Sequence, residues 1–146
     1  MPRGTHSIWD VIEGRAPAKG VGDWLDRTFV DADPEGGRLR ARFEPRPEHY
    51  NSMGQVQGGI LSAMLDATLG PTLSTTLAAG EAGPTLELNV SFLRPARGTI
   101  LASGEVVHRT ASIAFMEGSL EDLEGNLVAR GTATVKIVKR IGGSSS

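Results

Sequence analysis

Residues 49–66 read His-Tyr-Asn-Ser-Met-Gly-Gln-Val-Gln-Gly-Gly-Ile-Leu-Ser-Ala-Met-Leu-Asp, and they are the most informative part of the chain. Polar and small residues give way to an apolar run directly after the pair Gly58-Gly59. Apolar residues then recur three and four positions apart, the spacing of an amphipathic helix with one buried face: Ile60, Leu61, Met64, Leu65 and Leu69. The pattern predicts a helix from residue 58 to about residue 79, kinked or split at Pro71.

Asp66 is the carboxylate that interrupts this apolar run. It falls on the side of the predicted helix that carries small residues, where a ligand or a second backbone can approach closely: Gly59, Ser62, Ala63 and Gly70. The unpaired N–H groups at the helix start suit a developing oxyanion. A single Asp in a helix is also commonly a solvated surface residue, so the residues alone leave both interpretations open.

Strand patterns surround the helix on both sides. Residues 24–32 and 38–44 flank the turn sequence Pro34-Glu-Gly-Gly37 and predict a hairpin. Downstream, alternating apolar and polar residues predict four strands, with tight turns at Arg109-Thr110 and Gly125-Asn126: the run containing Leu86, Leu88, Val90 and Phe92, then residues 99–108, 111–121 and 127–137. One long helix among half-polar antiparallel strands predicts an α+β fold in which a curved sheet wraps around the helix.

Composition limits the classes of function. The chain has 146 residues, 39% hydrophobic and 22% charged, which fits one globular domain. A net charge of −2 does not indicate nucleic acid or an anionic membrane as a partner. The absence of cysteine excludes disulfides, thiolate catalysis and cysteine–zinc sites. No signal-peptide core precedes the domain, and residues 60–79 are a poor membrane span, so we expect a cytoplasmic protein.

The domain organisation follows from the same patterns. We expect an N-terminal extension over residues 1–20, with a short helix near residues 5–14 whose apolar side carries Trp9 and Ile12. The main domain then spans residues 21–140. The glycine- and serine-rich residues 141–146 are typical of a flexible tail.

Several other kinds of chemistry lack sequence support. No Gly-x-Gly-x-x-Gly or Walker-type loop is present, and Gly118-Ser119 lacks the second glycine of a nucleophile elbow. The three histidines, His6, His49 and His108, lack the spacing of metal ligands, so we expect no metal site. We expect a structural role for His49 near the loop before the helix.

Three blocks of the chain carry a family resemblance. The first has the pattern His-x-Asn-x-x-Gly-x-x-x-Gly-Gly followed by Asp seven residues later; the other two cover residues 85–96 and 124–131. In this order, over roughly residues 25–138, they resemble the hotdog-fold acyl-CoA thioesterases of the phenylacetate-degradation type. The positions in register in the first block are His49, Asn51, Gly54, Gly58, Gly59 and Asp66. Gln57 departs from the family pattern, because the family usually has His at this position. Gln keeps an N–H donor but does not titrate near neutral pH.

The resemblance implies hydrolysis of an acyl-CoA thioester to a carboxylic acid and free coenzyme A, with coenzyme A as part of the substrate and no cofactor. Asp66 would act as general base on water or as nucleophile, and the sequence leaves both open. For Gly58 the resemblance implies a backbone donor to the oxyanion, and for Gln57 a side-chain donor that orients the carbonyl. Asn51 would hold the attacking water or Asp66. The Thr85 hydroxyl would either contact the nucleophile or have a structural role.

Two other functions remain as alternatives: a hotdog hydratase or dehydratase, and a non-catalytic acyl-CoA-binding hotdog protein. A hydratase usually pairs a catalytic His with a carboxylate, and Gln57 disfavours it. Five basic residues are candidates for the coenzyme A phosphates, without a choice among them: Arg94, Arg97, Lys136, Lys139 and Arg140.

The spacing of Gly58 and Asp66 predicts a site shared by two subunits. Eight residues on one helix separate them by about 12 Å along the axis. An Asp side chain is too short to bring base and oxyanion donor to one carbonyl across that gap. Two antiparallel helices about a two-fold axis bring the two groups together, so we expect a homodimer. The sequence leaves open whether two such dimers pair into a homotetramer.

Overall fold

A computed structural model describes residues 7–139 of the protein. His6, Arg140 and the predicted tail at 141–146 lie outside the described residues. The elements within 7–139 are α1 (Ile8–Ile12), α2 (Val21–Trp24), β1 (Arg27–Asp33), β2 (Arg38–Phe43), a 3₁₀ turn (Pro47–His49), α3 (Gly58–Ser74), β3 (Glu81–Ala82), β4 (Thr85–Phe92), β5 (Ile100–Arg109), β6 (Ile113–Glu121), β7 (Leu127–Lys136) and β8 (Val138–Lys139).

Six strands form one antiparallel sheet in the order β1-β2-β5-β6-β7-β4. The long helix α3 packs on this sheet and contacts β2, β4, β5, β6 and β7. The short strands β3 and β8 form a separate antiparallel pair. The predicted α+β class, with one long helix against an antiparallel sheet, is confirmed.

The apolar stripe of α3 supplies the centre of the core. Its buried members are Leu61, Met64, Leu65, Leu69 and Leu73, while Ile60 is half-buried. Burying a Leu or Met side chain contributes roughly 1.5–3 kcal/mol, so this stripe fixes which side of α3 faces the sheet. The opposite side, with Gly59 and Asp66, remains exposed.

Three glycines lie side by side where α3 crosses the sheet. Gly104 of β5 is opposite Gly118 of β6, which is opposite Gly131 of β7. A Cβ atom on Gly118 would lie 3.0 Å from a methyl carbon of Leu69 and 3.1 Å from one of Leu65. The glycine row therefore lets α3 lie close to the sheet.

The helix is shorter than predicted and is not split. It ends at Ser74 instead of about residue 79, and Pro71 lies inside one continuous helix. The hydroxyls of Thr75 and Thr76 donate to carbonyls of the last turn at 2.8 Å each, which helps to end the helix there. The chain then turns through Gly80, whose φ is 83°.

Two apolar side chains of β4 are exposed. Leu88 and Val90 are half-buried, but Leu86 is 58% and Phe92 is 52% exposed, although the alternation of apolar with polar residues puts all four on one side of the strand. The physical reason is position, because β4 is the last strand of the sheet and the only neighbour to which it pairs within residues 7–139 is β7.

The N-terminal region begins with α1, capped by Ser7 and Asp10 through reciprocal hydrogen bonds. Trp9 and Ile12 are half-buried, and Ile12 packs against the core. The predicted first strand of the hairpin, residues 24–32, starts later than expected. Trp24 ends α2, and Asp26, with a φ of 52°, turns the chain before β1 begins at Arg27.

Candidate active site

The start of α3 presents free backbone donors. Gln57 is the N-cap residue, and its side-chain Oε1 accepts a hydrogen bond from the N–H of Ile60 at 3.1 Å. The first N–H groups of a helix have no acceptor within the helix, and within residues 7–139 those of Gly58 and Gly59 have no other. Because Oε1 of Gln57 is the capping acceptor, the Nε2 donor of the same amide remains available.

Asn51 shapes the loop that leads to α3. Its Oδ1 accepts from the N–H groups of Met53 at 2.9 Å and Gln55 at 3.1 Å. Among the described residues its Nδ2 makes no hydrogen bond, and the residue is exposed. The amide can therefore act as a donor toward a ligand while its oxygen holds the loop.

A second segment fastens this loop. Arg97 donates from Nε to the carbonyl of Gly54 at 3.0 Å, and the N–H of Gly98 donates to the Tyr50 hydroxyl at 3.0 Å. The N–H of Val56 donates to the Ala96 carbonyl at 2.8 Å. The sequence suggests Arg97 only as a phosphate contact and gives no sign of a role for Tyr50, because only folding brings residues 50–56 against residues 96–98.

His49 lies beneath the loop and is fully buried. Its Nδ1 accepts from the N–H of Arg46 at 2.9 Å, and its carbonyl accepts from the N–H of Gln57 at 2.9 Å. The ring meets the Trp24 ring edge-to-face, with 4.5 Å between centroids. These contacts agree with the structural role expected for His49.

A groove of about 320 Å³ opens beside the start of α3. Its polar lining residues are Asn51 and Gln55, and Gly58 adds backbone. The rest of the lining is an apolar wall and one basic side chain: Val56, Leu61, Phe92, Leu93, Pro95, Ala96 and Arg94. The Phe92 ring lies 3.3 Å from the position that a Cβ atom on Gly58 would take. Phe92 thus lines the groove, a position that the strand pattern alone did not predict.

Asp66 and Thr85 form the other part of the site. The Thr85 hydroxyl donates to Oδ1 of Asp66 at 2.9 Å, and both residues are exposed. Helix α3 positions the carboxylate and the start of β4 positions the hydroxyl. The structure thus joins two predicted site residues that are far apart in the sequence.

Within one chain these two groups stay separate. Gly58 and Asp66 belong to the same continuous helix, about 12 Å apart along its axis. No hydrogen bond within residues 7–139 joins Asn51 or Gln57 to Asp66. The chain therefore carries two separate groups of candidate residues. We call the group at the start of α3, Asn51, Gln57 and Gly58, the donor half-site, and the pair Asp66 and Thr85 the carboxylate half-site.

The basic residues considered as contacts for the coenzyme A phosphates are dispersed. Arg94 lines the groove, whereas Lys136 and Lys139 are exposed at the end of β7 and in β8. Over residues 7–139 no group of three or more His, Asp or Glu side chains is arranged to hold a metal ion. In the same part of the chain, no helix is long and apolar enough to cross a membrane.

Comparison with known proteins decides the family. Residues 53–129 match the sequence pattern of the thioesterase superfamily. The chain belongs to this superfamily. The match confirms the predicted enzyme class, a thioester hydrolase, and it includes Gln57, Gly58, Asp66 and Thr85.

Individual relatives extend the comparison. The chain is similar to a phenylacetic acid degradation-related protein of Ralstonia eutropha, with 34% identity and a TM-score of 0.85 over 90% of this chain and 99% of that one. It is 26% identical to human acyl-coenzyme A thioesterase 13 over 134 residues, 89% of this chain and 94% of the relative. The E. coli PaaI protein shares the fold, with a TM-score of 0.77 at 18% identity over 93% of this chain and 94% of that one. The predicted hotdog fold and the family resemblance are confirmed.

Proposed function

We propose that this thioesterase hydrolyses acyl-CoA, with Asp66 as the catalytic carboxylate. The observation that carries the proposal is the hydrogen bond from Thr85 to Asp66, which holds an exposed carboxylate on the helix that begins with free glycine N–H groups. The similarity to an acyl-coenzyme A thioesterase supports the substrate class.

In the proposed reaction the thioester carbonyl oxygen accepts a hydrogen bond from the N–H of Gly58, and the Gln57 amide orients the carbonyl. Asp66 takes a proton from water, and the water oxygen bonds to the carbonyl carbon. The tetrahedral intermediate then collapses, the C–S bond breaks, and the coenzyme A thiolate leaves and takes up the proton. Alternatively a carboxylate oxygen of Asp66 bonds to the carbonyl carbon, the C–S bond breaks and the coenzyme A thiolate leaves. Water then hydrolyses the mixed anhydride to the carboxylic acid and the Asp66 carboxylate, and the proton released goes to the thiolate.

Two protomers complete the site in this proposal. Within residues 7–139, one edge of β4 pairs with no strand, and exposed Leu86 and Phe92 make this surface suited to pairing with another strand. Thr85, next to Asp66, begins β4, whereas Phe92, next to Gly58, ends it. Antiparallel pairing of β4 with a second copy therefore brings the carboxylate half-site of one protomer toward the donor half-site of the other.

A coenzyme A release assay tests the proposal. Because the chain contains no cysteine, a thiol-reactive dye reports only released coenzyme A. We expect thiol release from at least one member of a panel of short, long and aromatic acyl-CoA thioesters. Hydration of an enoyl-CoA without thiol release would favour the hydratase alternative, and saturable binding without turnover across the panel would favour the binding protein.

A further inference from the structure

Arg27, the first residue of β1, reaches across to α3. Its Nη1 donates to the carbonyl of Ala67 at 3.0 Å, and its guanidinium carbon lies 4.5 Å from the centre of the Phe29 ring. Gly22 leaves room for this group, since a Cβ atom there would lie 2.6 Å from Nη2. Nε is buried and has no hydrogen-bond partner in residues 7–139, and burial lowers the pKa of the guanidinium.

A half-buried charge is unfavourable unless its hydrogen bonds offset the loss of water. The Ala67 carbonyl lacks its usual hydrogen-bond donor within the helix. In an α-helix the carbonyl of residue 67 accepts from the N–H of residue 71, and residue 71 is proline, which has no N–H. Arg27 supplies the hydrogen bond that Pro71 removes, and α3 continues without a break from Gly58 to Ser74.

The Ala67 carbonyl lies in the same turn of α3 as the proposed catalytic carboxylate, because Ala67 follows Asp66 directly. Arg27 ties this turn to β1, as the Thr85 hydroxyl ties Asp66 to β4. We propose that Arg27 is a positioning residue, which acts through the Ala67 carbonyl to fix the orientation of Asp66. The link to Asp66 rests on the proposed function, whereas the link to Pro71 does not.

Four proteins test the inference: the parent, Arg27→Met, Pro71→Ala and the double variant. Met keeps an unbranched stem without donors, and alanine in place of Pro71 restores the backbone N–H. At equal protein concentration we expect Arg27→Met to lower Tm by about 5–10 °C in the parent and by less than about half of that in the Pro71→Ala background. Arg40→Met, at an exposed arginine paired with Asp31, is the control and is expected to change Tm little.

The same proteins give a kinetic test. We expect Arg27→Met to lower kcat about tenfold or more with KM within about twofold of the parent, since a small displacement of Asp66 affects the reaction more than binding. In the double variant kcat is expected within about threefold of Pro71→Ala alone. Circular dichroism confirms that each sample is folded.

If Arg27→Met lowers Tm equally in the parent and in Pro71→Ala, then Arg27 does not replace the hydrogen bond that Pro71 removes. An unchanged kcat in folded Arg27→Met would overturn the positioning role. If the single variant does not fold, a folded and active double variant supports the inference, and an unfolded one contradicts it. The proposed function is tested separately. If Asp66→Asn retains activity, Asp66 is not the catalytic carboxylate, but the Tm comparison still shows whether Arg27 replaces the hydrogen bond that Pro71 removes.

Discussion

Asp66 is held in place by a hydrogen bond from the Thr85 hydroxyl. Asn at position 66 keeps an oxygen acceptor for this bond but is neither a base nor a nucleophile. We expect Asp66→Asn to lower kcat by roughly 10²–10⁴-fold while the fold and substrate binding persist. The coenzyme A release assay measures the loss, and Glu35→Gln, which removes an exposed carboxylate from the turn between β1 and β2, is the control. Activity of Asp66→Asn near that of the parent would mean that Asp66 is only a solvated helix residue.

Substitutions at Asn51 can separate its role in holding the loop from its proposed role as a hydrogen-bond donor to the substrate. Asp at this position keeps an oxygen for the N–H groups of Met53 and Gln55 but has no amide donor. We expect Asn51→Asp to keep the Tm of the parent and to lose roughly 10²-fold in kcat, whereas Asn51→Ala loses stability as well. Full activity in Asn51→Asp would show that the residue only shapes the loop.

Gln57 lies where the family usually has His. Because the Gln57 side chain caps α3 as an acceptor and keeps a second group as donor, a neutral imidazole can meet both requirements. We expect Gln57→His to keep kcat/KM within about tenfold of the parent at pH 8 and to lose activity below about pH 6.5, where a protonated ring no longer accepts from Ile60. Steady-state kinetics from pH 6 to 9 provide the test, and a large loss at every pH would show that the site requires the shape of Gln.

At the scale of elements, the contact between α3 and the sheet depends on the glycine row. A Cβ atom on Gly118 would press on Leu65 and Leu69 of α3, both of which are buried. We expect Gly118→Ala to lower the free energy of unfolding by about 1–3 kcal/mol. Urea unfolding measures the change, with Thr132→Ala on the exposed side of β7 as the control, expected within about 0.5 kcal/mol of the parent. A Gly118→Ala protein as stable as the parent would show that α3 can move away from the sheet at little cost.

At the scale of the whole molecule, the two half-sites predict complementation between inactive variants. Asn51→Ala and Asp66→Ala each damage both sites of a homodimer. After joint refolding, half of randomly formed dimers are mixed, and each mixed dimer has one intact site, so about a quarter of the parent activity is expected. Light scattering measures the oligomer, and pairing of dimers into a tetramer leaves this fraction unchanged. An inactive mixture that demonstrably contains mixed dimers would contradict the shared site.

The α+β class, the buried stripe of α3, the order of the long strands and the family can all be predicted from the amino-acid sequence. These follow from local periodicity and from motifs such as residues 49–66, because helical and strand spacing select the buried side of an element without knowledge of its neighbours. The candidate residues Asn51, Gly58 and Asp66 were found in the same way. The cytoplasmic location, the oligomer and the absence of a cofactor stay predictions.

Contacts between residues that are distant in the sequence become visible only in the folded chain. The bonds from Thr85 to Asp66, from Arg97 to Gly54 and from Arg27 to Ala67 join segments 19, 43 and 40 residues apart. Exposure of Leu86 and Phe92 likewise depends on β4 being the last strand of the sheet. Local patterns report how one segment can fold, but contacts between segments are set by strand order and by how closely α3 packs on the sheet, which no single segment encodes.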